Sequence, residues 1–139
     1  MSEQKFSRFR SEITVRPDDI DVNNHVHFTK YLDYVLAARY MQMREFYKMS
    51  MEEFWKRDLT WVVSDLKISF KRELRLEDVA VVETGVNSYN GAQCLVDFII
   101  YKKDGMKVAA EGHFNYTMLS LKSGRPVRLP EDIIQMYSI

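Results

Sequence analysis

Cysteine, proline and glycine are all scarce in this chain of 139 residues. The single cysteine, Cys94, excludes an internal disulfide, and no paired cysteines provide the usual zinc spacing. The three prolines and five glycines are scattered, so the sequence contains no linker, no repeat and no Gly-rich nucleotide-binding loop. We therefore expect one domain over residues 1–139.

Net charge is also lacking. Lysine and arginine number 20, and aspartate and glutamate number 20, so the chain has no overall field that would attract nucleic acid. No run approaches the roughly 18 apolar residues of a membrane helix, and residues 1–15 contain no apolar signal segment. These absences predict a cytoplasmic protein without a nucleic-acid or membrane partner.

Residues 28–47 predict one long central helix. They contain no Gly or Pro, and their apolar positions follow the helical period, with Gln42 as the one polar break. Further apolar residues make most of the circumference hydrophobic, which predicts burial on several sides. At 1.5 Å per residue the helix would be about 30 Å long. A domain of this size has a radius of gyration of only about 14 Å, so the helix should run through its middle.

The rest of the chain predicts mainly antiparallel strands. Asn90-Gly91 and Asp104-Gly105 are hairpin signals between β-rich runs, and Cys94, typical of a buried thiol, begins an apolar face in one of these runs. The fold class is therefore α+β, with a five-stranded antiparallel sheet wrapped around one helix. Its open edges favour dimerisation through a sheet edge. The predicted strands cover residues 11–17, 60–74, 79–88, 92–103 and 107–121, and short helices are expected at 51–57 and 129–137.

Polar, chemically able residues are concentrated at 18–27, just ahead of the long helix. This segment, DDIDVNNHVH, holds three carboxylates, two amides and two imidazoles. Helix capping and turn formation would explain one or two of them but not all. Free backbone N–H groups at a helix start can hold a developing oxyanion, and a carboxylate beside them can act as base or nucleophile on an ester or thioester.

A metal site is the less favoured interpretation of the same segment. His25 and His27 would share one side of an extended backbone, near Asp19 and Asp21. His113 is the only further histidine, and no ligand spacing accompanies it. We therefore expect no metal and no cofactor.

The segment DDIDVNNHVHFTKYLDYV resembles the signature of the hotdog-fold thioesterases. It is similar to the 4-hydroxybenzoyl-CoA thioesterase pattern D-x-D-x-x-[GN]-x-V-x-[YFN]-x-x-Y. It is closer still to the acyl-ACP thioesterase run D-[LM]-D-x-N-x-H-V-N-x-x-x-Y. The predicted order of strand, long helix and meander is also the hotdog order. The resemblance implies hydrolysis of an acyl-CoA or acyl-ACP thioester, in a homodimer or homotetramer.

The resemblance also implies roles for individual residues. Asp21 corresponds to the carboxylate that attacks the thioester carbonyl or activates water. Asn23 and His25 match the amide and imidazole that the acyl-ACP thioesterases place around it. Phe28 falls where a backbone N–H at the helix start binds the thioester oxygen.

A second match lies at residues 70–73, Phe-Lys-Arg-Glu, which resembles the acyl-ACP thioesterase segment [YF]-R-R-E-C. It implies that Glu73 is a second catalytic carboxylate, although a charge run of this kind is more often a solvated strand end. Leu74 replaces the cysteine, which excludes a cysteine nucleophile. His27 stands where the plant enzymes carry asparagine, and its role is left open.

Three other functions compete with the thioesterase interpretation. A catalytically silent hotdog module could bind acyl thioesters or a partner protein, although it would not need Asp21, Asn23 and His25. A dehydratase or isomerase of the same fold would carry a different motif. In a purely structural dimer, residues 18–27 would only form a turn and cap. The acyl chain is expected between helix and sheet or along a dimer interface. Candidate lining residues are Tyr31, Tyr34, Met41 and Met43, although core packing is the favoured interpretation of all four.

Overall fold

Five antiparallel strands form one sheet in the computed structural model, which describes residues 7–137. The strand order is β1-β3-β4-β5-β2, so the last three strands in sequence form the predicted meander. The second strand does not pair with the third. It crosses to the far edge and pairs with β5, from Leu59 opposite Ser120 to Phe70 opposite Ala110. The strands are β1 (Arg8–Thr14), β2 (Leu59–Phe70), β3 (Val79–Asn90), β4 (Gln93–Lys102) and β5 (Lys107–Ser120).

The central helix α1 (Phe28–Glu45) packs on the concave face of the sheet, against β1 and β3. Its one polar break, Gln42, is fully buried. The Gln42 amide donates to Ser11 Oγ at 3.1 Å and to the Val82 carbonyl at 3.3 Å, and it accepts from the Thr84 hydroxyl. Because a buried amide must be fully hydrogen-bonded, Gln42 fixes the position of α1 on β1 and β3.

One flank of α1 is open, and the prediction of burial on several sides is wrong there. Phe28 is 70% exposed and Leu36 is 45% exposed. The helix lies towards β1 and β3, so it leaves part of the concave face of the edge strand β2 uncovered, where Leu66 is 40% exposed. We call the resulting surface the apolar trough; its walls are Phe28, Leu36 and Tyr40 on α1 and Val63, Leu66 and Phe70 on β2.

Two short helices, α2 (Met51–Lys56) and α3 (Glu131–Tyr137), cover the other end of the core. The alternating face that Cys94 begins is buried as predicted. Residues 11–17 and 60–74 are only partly strand, because Pro17 opens a short 3-10 turn and the chain leaves the sheet after Phe70. Within residues 7–137 no helix is long and apolar enough to span a membrane.

Candidate active site

Asp21 closes the loop in front of α1 through its own carboxylate. Its Oδ1 accepts the backbone N–H groups of Asn23 at 2.8 Å and His25 at 3.1 Å. The loop is closed again by the Asp21 N–H donating to the His25 carbonyl, and Asn24 turns the chain with a φ of 61°. The N–H of His25, followed by that of Asn23, lowers the pKa of the Asp21 carboxyl below its ordinary value. The carboxylate is therefore ionised at neutral pH, and Oδ2 accepts no hydrogen bond from any described residue.

Hydrogen bonds tie this loop to the segment that follows β2. The Val26 N–H donates to the Leu74 carbonyl at 2.9 Å, and the Leu76 N–H donates to Asn24 Oδ1 at 3.0 Å. From α1, the Tyr31 hydroxyl accepts the Leu74 N–H at 3.0 Å. Two segments distant in sequence thus meet at the start of the helix.

Glu73 is brought against His25 by this connection. The distance from His25 Nε2 to Glu73 Oε2 is 3.2 Å, and both side chains are partly exposed. Arg75 also approaches Glu73 Oε2, at 3.4 Å. The second carboxylate implied by the sequence therefore contacts the implied imidazole directly.

Phe28 is the first residue of α1, and its N–H donates to no acceptor among residues 7–137. The first N–H groups of a helix lack intrahelical partners and are available to an anion. The Phe28 ring contacts Phe70 edge to face, with centroids 6.4 Å apart, and Tyr31 meets the same ring at 5.1 Å. These aromatic rings form one wall beside the helix start.

Asp19 is buried under the same loop and is structural. Its Oδ2 accepts the Tyr34 hydroxyl at 2.7 Å and the Arg16 N–H at 3.1 Å. Its backbone carbonyl accepts the His27 N–H at 3.0 Å. Burial, together with the hydrogen bond to Asp19, raises the pKa of the Tyr34 phenol. Capping and turn formation thus account for Asp19 but leave Asp21 and His25 with an open side.

A cleft of about 760 Å³ collects most of the residues singled out from sequence. Asp21, His25, Phe28 and Glu73 line it together. Asn23 is exposed and does not line the cleft; it contributes its backbone N–H to Asp21. Among the described residues no three His, Cys, Asp or Glu side chains are placed to hold a metal ion.

Sequence reasoning missed the basic residues of this cleft. Lys71, Arg72, Arg75 and Lys102 line it together with the two carboxylates. The first three belong to the charge run at 71–75, so the charge run was a usable signal. Lys102 lies at the end of β4, and only the sheet topology places it there.

A separate cavity of about 290 Å³ lies under the second half of α1, between the sheet, α2 and α3. Its wall is mostly apolar and includes Met43, and the side chains of Arg39, Cys94 and Tyr116 also line it. Burial raises the pKa of the Cys94 thiol to about 11, so this cysteine is an unreactive wall residue. The apolar trough runs from the cleft to this cavity, since Leu36, Tyr40 and Val63 also line the cavity.

A model of the acyl-ACP thioesterase N-terminal domain family matches residues 7–137. The chain belongs to this family. Membership confirms the predictions of a hotdog fold and of an acyl thioester hydrolase. The long-chain acyl-CoA thioesterase FadM of Escherichia coli (strain K12) is 21% identical over 124 residues, which cover 89% of this chain and 92% of FadM.

Two solved structures have the same fold as this acyl-ACP thioesterase family member. A Lactobacillus plantarum chain provisionally named an oleoyl thioesterase has a TM-score of 0.89 at 19% identity, over 95% of this chain. The match spans 51% of that longer chain. The Staphylococcus aureus protein SAV2348, solved in complex with CoA, has a TM-score of 0.84 at 19% identity, over 98% of this chain and 85% of its own.

Proposed function

We propose that this chain hydrolyses acyl-CoA thioesters in the cleft at the start of α1, with Asp21 as the general base. One observation carries the proposal. The ionised Asp21 carboxylate, with Oδ2 open, faces the same cleft as the unpaired Phe28 N–H. A base and an oxyanion donor are the two groups that addition of water to a thioester requires.

The reaction proceeds in two steps, addition of water to the thioester carbonyl and then loss of the CoA thiol. Asp21 takes a proton from water while the water oxygen bonds to the carbonyl carbon, and the Phe28 N–H holds the resulting oxyanion. The oxyanion then re-forms the carbonyl, the carbon–sulfur bond breaks, and CoA leaves as its thiol. The proton held by Asp21 reaches the sulfur through His25, which Glu73 orients. The free acid and CoA thiol are the products, and Asp21 is again ionised.

Recognition of CoA rests on the basic side of the cleft. Lys71 and Arg72 are exposed and form no ion pair with a described residue, and both line the cleft. Such cations bind phosphate groups, which CoA carries on its nucleotide. The name of the FadM relative, a long-chain acyl-CoA thioesterase, favours CoA over a carrier protein as the thiol.

We further propose a homodimer through the free edge of β2. An antiparallel pairing centred on Leu66 places Asp65 of each copy opposite Lys67 of the other, and Leu66 opposite itself. Opposite charges across the two-fold axis set the register, and the exposed Leu66 side chains become covered. One of the two unpaired edges of the described sheet, that of β2, is then paired with a second copy.

Release of CoA thiol from palmitoyl-CoA by wild type and Asp21→Asn tests the function. Asparagine keeps an oxygen acceptor for the two loop N–H groups but is not a base, so kcat/KM should fall about 10²- to 10⁴-fold with the fold retained. Asp18→Asn is the matched control, because Asp18 is an exposed neighbour that pairs with Arg16 outside the cleft. Full activity in Asp21→Asn would contradict the role of Asp21. Single turnover in ¹⁸O-water tests for a nucleophile, since unlabelled oxygen in the first acid formed requires an anhydride with Asp21 that water opens at the Asp21 carbonyl.

A further inference from the structure

The 290 Å³ cavity is too large to be a packing defect. Protein interiors have few voids larger than a water molecule, whereas ligand pockets begin at about 300 Å³ and combine apolar walls with a few polar groups. The cavity has this composition, and the apolar trough connects it to the reacting centre. A ligand that reacts beside Phe28 can therefore continue along the trough into the cavity.

The distance along this path suits a long acyl chain. Leu36 and Tyr40, at the mouth of the cavity, lie about 12 and 18 Å from Phe28 along α1. Tyr116, inside the cavity, is six residues along β5 from Ala110, which pairs with Phe70 at the cleft, a distance of about 20 Å. One leaflet of a bilayer is about 15 Å thick, and its long acyl chains are partly coiled, so each chain is longer than this when fully extended. The far end of such a chain would reach Tyr116.

The Tyr116 hydroxyl is one of the polar groups in the cavity wall that this chain would meet. Every fully buried side-chain nitrogen or oxygen of the described residues has a hydrogen-bond partner. The Tyr116 hydroxyl has no partner among residues 7–137, so its oxygen is open to the cavity that its side chain lines. Its ring is held between Trp61 and Phe114, with centroids 6.2 and 5.6 Å away. The hydroxyl therefore has a fixed position in a mostly apolar wall.

Arg39 adds a positive charge to the same wall. Its guanidinium is buried, donates to Tyr47 and Thr84 at 3.4 and 3.3 Å, and lines the cavity. The Arg39 charge acts on Tyr116, where it opposes the effect of burial on the phenol pKa. Burial raises that pKa, so Tyr116 is a neutral O–H donor. A donor beside a cation is complementary to an oxygen atom carried by the ligand.

We propose that Tyr116 selects acyl chains that carry a hydroxyl or keto oxygen near their distal end, with the Tyr116 hydroxyl donating to that oxygen inside the cavity. This rests on the thioesterase function proposed above and names its substrate class. An unmodified chain would fill the same cavity but leave the Tyr116 donor without a partner. Selection is then a matter of one hydrogen bond in a mostly apolar cavity, because a donor left without a partner there costs free energy.

Hydrolysis of 16-hydroxypalmitoyl-CoA and palmitoyl-CoA by wild type and Tyr116→Phe tests the proposal. Wild type should favour the hydroxylated chain in kcat/KM by about fivefold, the effect of one neutral hydrogen bond, and Tyr116→Phe should abolish the preference. 3-Hydroxypalmitoyl-CoA, whose oxygen stays near the cleft, should gain nothing from Tyr116. Tyr101→Phe is the matched control, because Tyr101 packs against Arg10 outside the cavity and should leave the ratio unchanged.

Calorimetric binding of 16-hydroxypalmitate and palmitate to both variants keeps the inference separate from the activity. Tighter binding of the hydroxylated acid by wild type, but not by Tyr116→Phe, would support the selection even if no thioester is hydrolysed. Absence of hydrolysis would refute only the proposed function. Equal ratios in wild type and Tyr116→Phe, in hydrolysis or in binding, would refute the role of Tyr116.

Discussion

His25 and Glu73 form a contact between two segments that the fold brings together, with Nε2 and Oε2 3.2 Å apart. If Glu73 acts by orienting the imidazole, Glu73→Gln should lower kcat about 10²-fold. The double variant with His25→Gln should be no slower than the slower single variant, because the two residues act as one unit. Glu77→Gln, an exposed neighbour, is the control. Multiplicative losses in the double variant would mean that the two residues act independently.

The basic side of the cleft can be tested with a substrate that lacks phosphates. In the double variant Lys71→Gln/Arg72→Gln, KM for palmitoyl-CoA should rise about fivefold to tenfold, since exposed charge pairs contribute modestly. KM for the palmitoyl thioester of pantetheine, which has no phosphate, should not change. Lys122→Gln removes an exposed lysine outside the cleft and serves as the control. An equal rise in KM for both substrates would show that Lys71 and Arg72 do not act by binding the phosphates of CoA.

The proposed dimer makes a charge-swap prediction. Asp65→Lys and Lys67→Asp should each place like charges opposite one another across the two-fold axis and shift the protein towards monomer. The double swap should restore the dimer, because the opposite charges are exchanged and not lost. Light scattering after size exclusion gives the mass, and Lys107→Asp is the matched charge reversal away from β2. Unchanged mass in all variants would place any dimer interface elsewhere.

The buried hydrogen bond between Tyr34 and Asp19 should be visible in stability. Tyr34→Phe removes the donor and leaves a buried carboxylate with fewer partners, so the free energy of unfolding should fall by about 1.5–3 kcal/mol. Tyr40→Phe removes a similar phenol–carboxylate bond, to Glu52, on the surface, and should change stability by less than about 0.5 kcal/mol. Denaturant titration of both variants provides the comparison. Similar losses would show that burial of Asp19 is not the decisive factor.

The sequence predicted the helices and strands themselves more reliably than it predicted which of them pack or pair with one another. The helical period of α1 and the hairpin signals are local, and the structure confirms them to within a few residues. The pairing of β2 with β5 depends on contacts between distant segments, which no local pattern encodes. The open flank of α1 was missed for the same reason. Apolar residues give the same sequence pattern whether a strand covers them or they line an open trough.

For the site, the motif at 18–27 led to the correct loop but did not distinguish its members. Asp19 and Asp21 have the same side chain two residues apart, and only burial separates the structural one from the open one. Lys102 and the cavity around Tyr116 carry no motif, since residues of several strands and helices form them. The roles of Asp21, His25, Phe28 and Glu73 in catalysis stay predictions until the variants are measured.

Because Gln42 is anchored, α1 has a fixed position along the sheet, and the distance between its two ends can serve as a measure of ligand length. One end of α1 carries the Phe28 N–H and the other borders the cavity, so the helix sets the distance between the proposed oxyanion site and the proposed selecting group. The hydrogen bonds of Gln42 with Ser11, Val82 and Thr84 prevent α1 from sliding along the sheet. A slide of α1 by one turn would move one end relative to the sheet by about 5.4 Å, the span of several methylene groups. If acyl chains bind as proposed, the length of α1 decides which chains place their far end at Tyr116, and no separate residue is needed to recognise length.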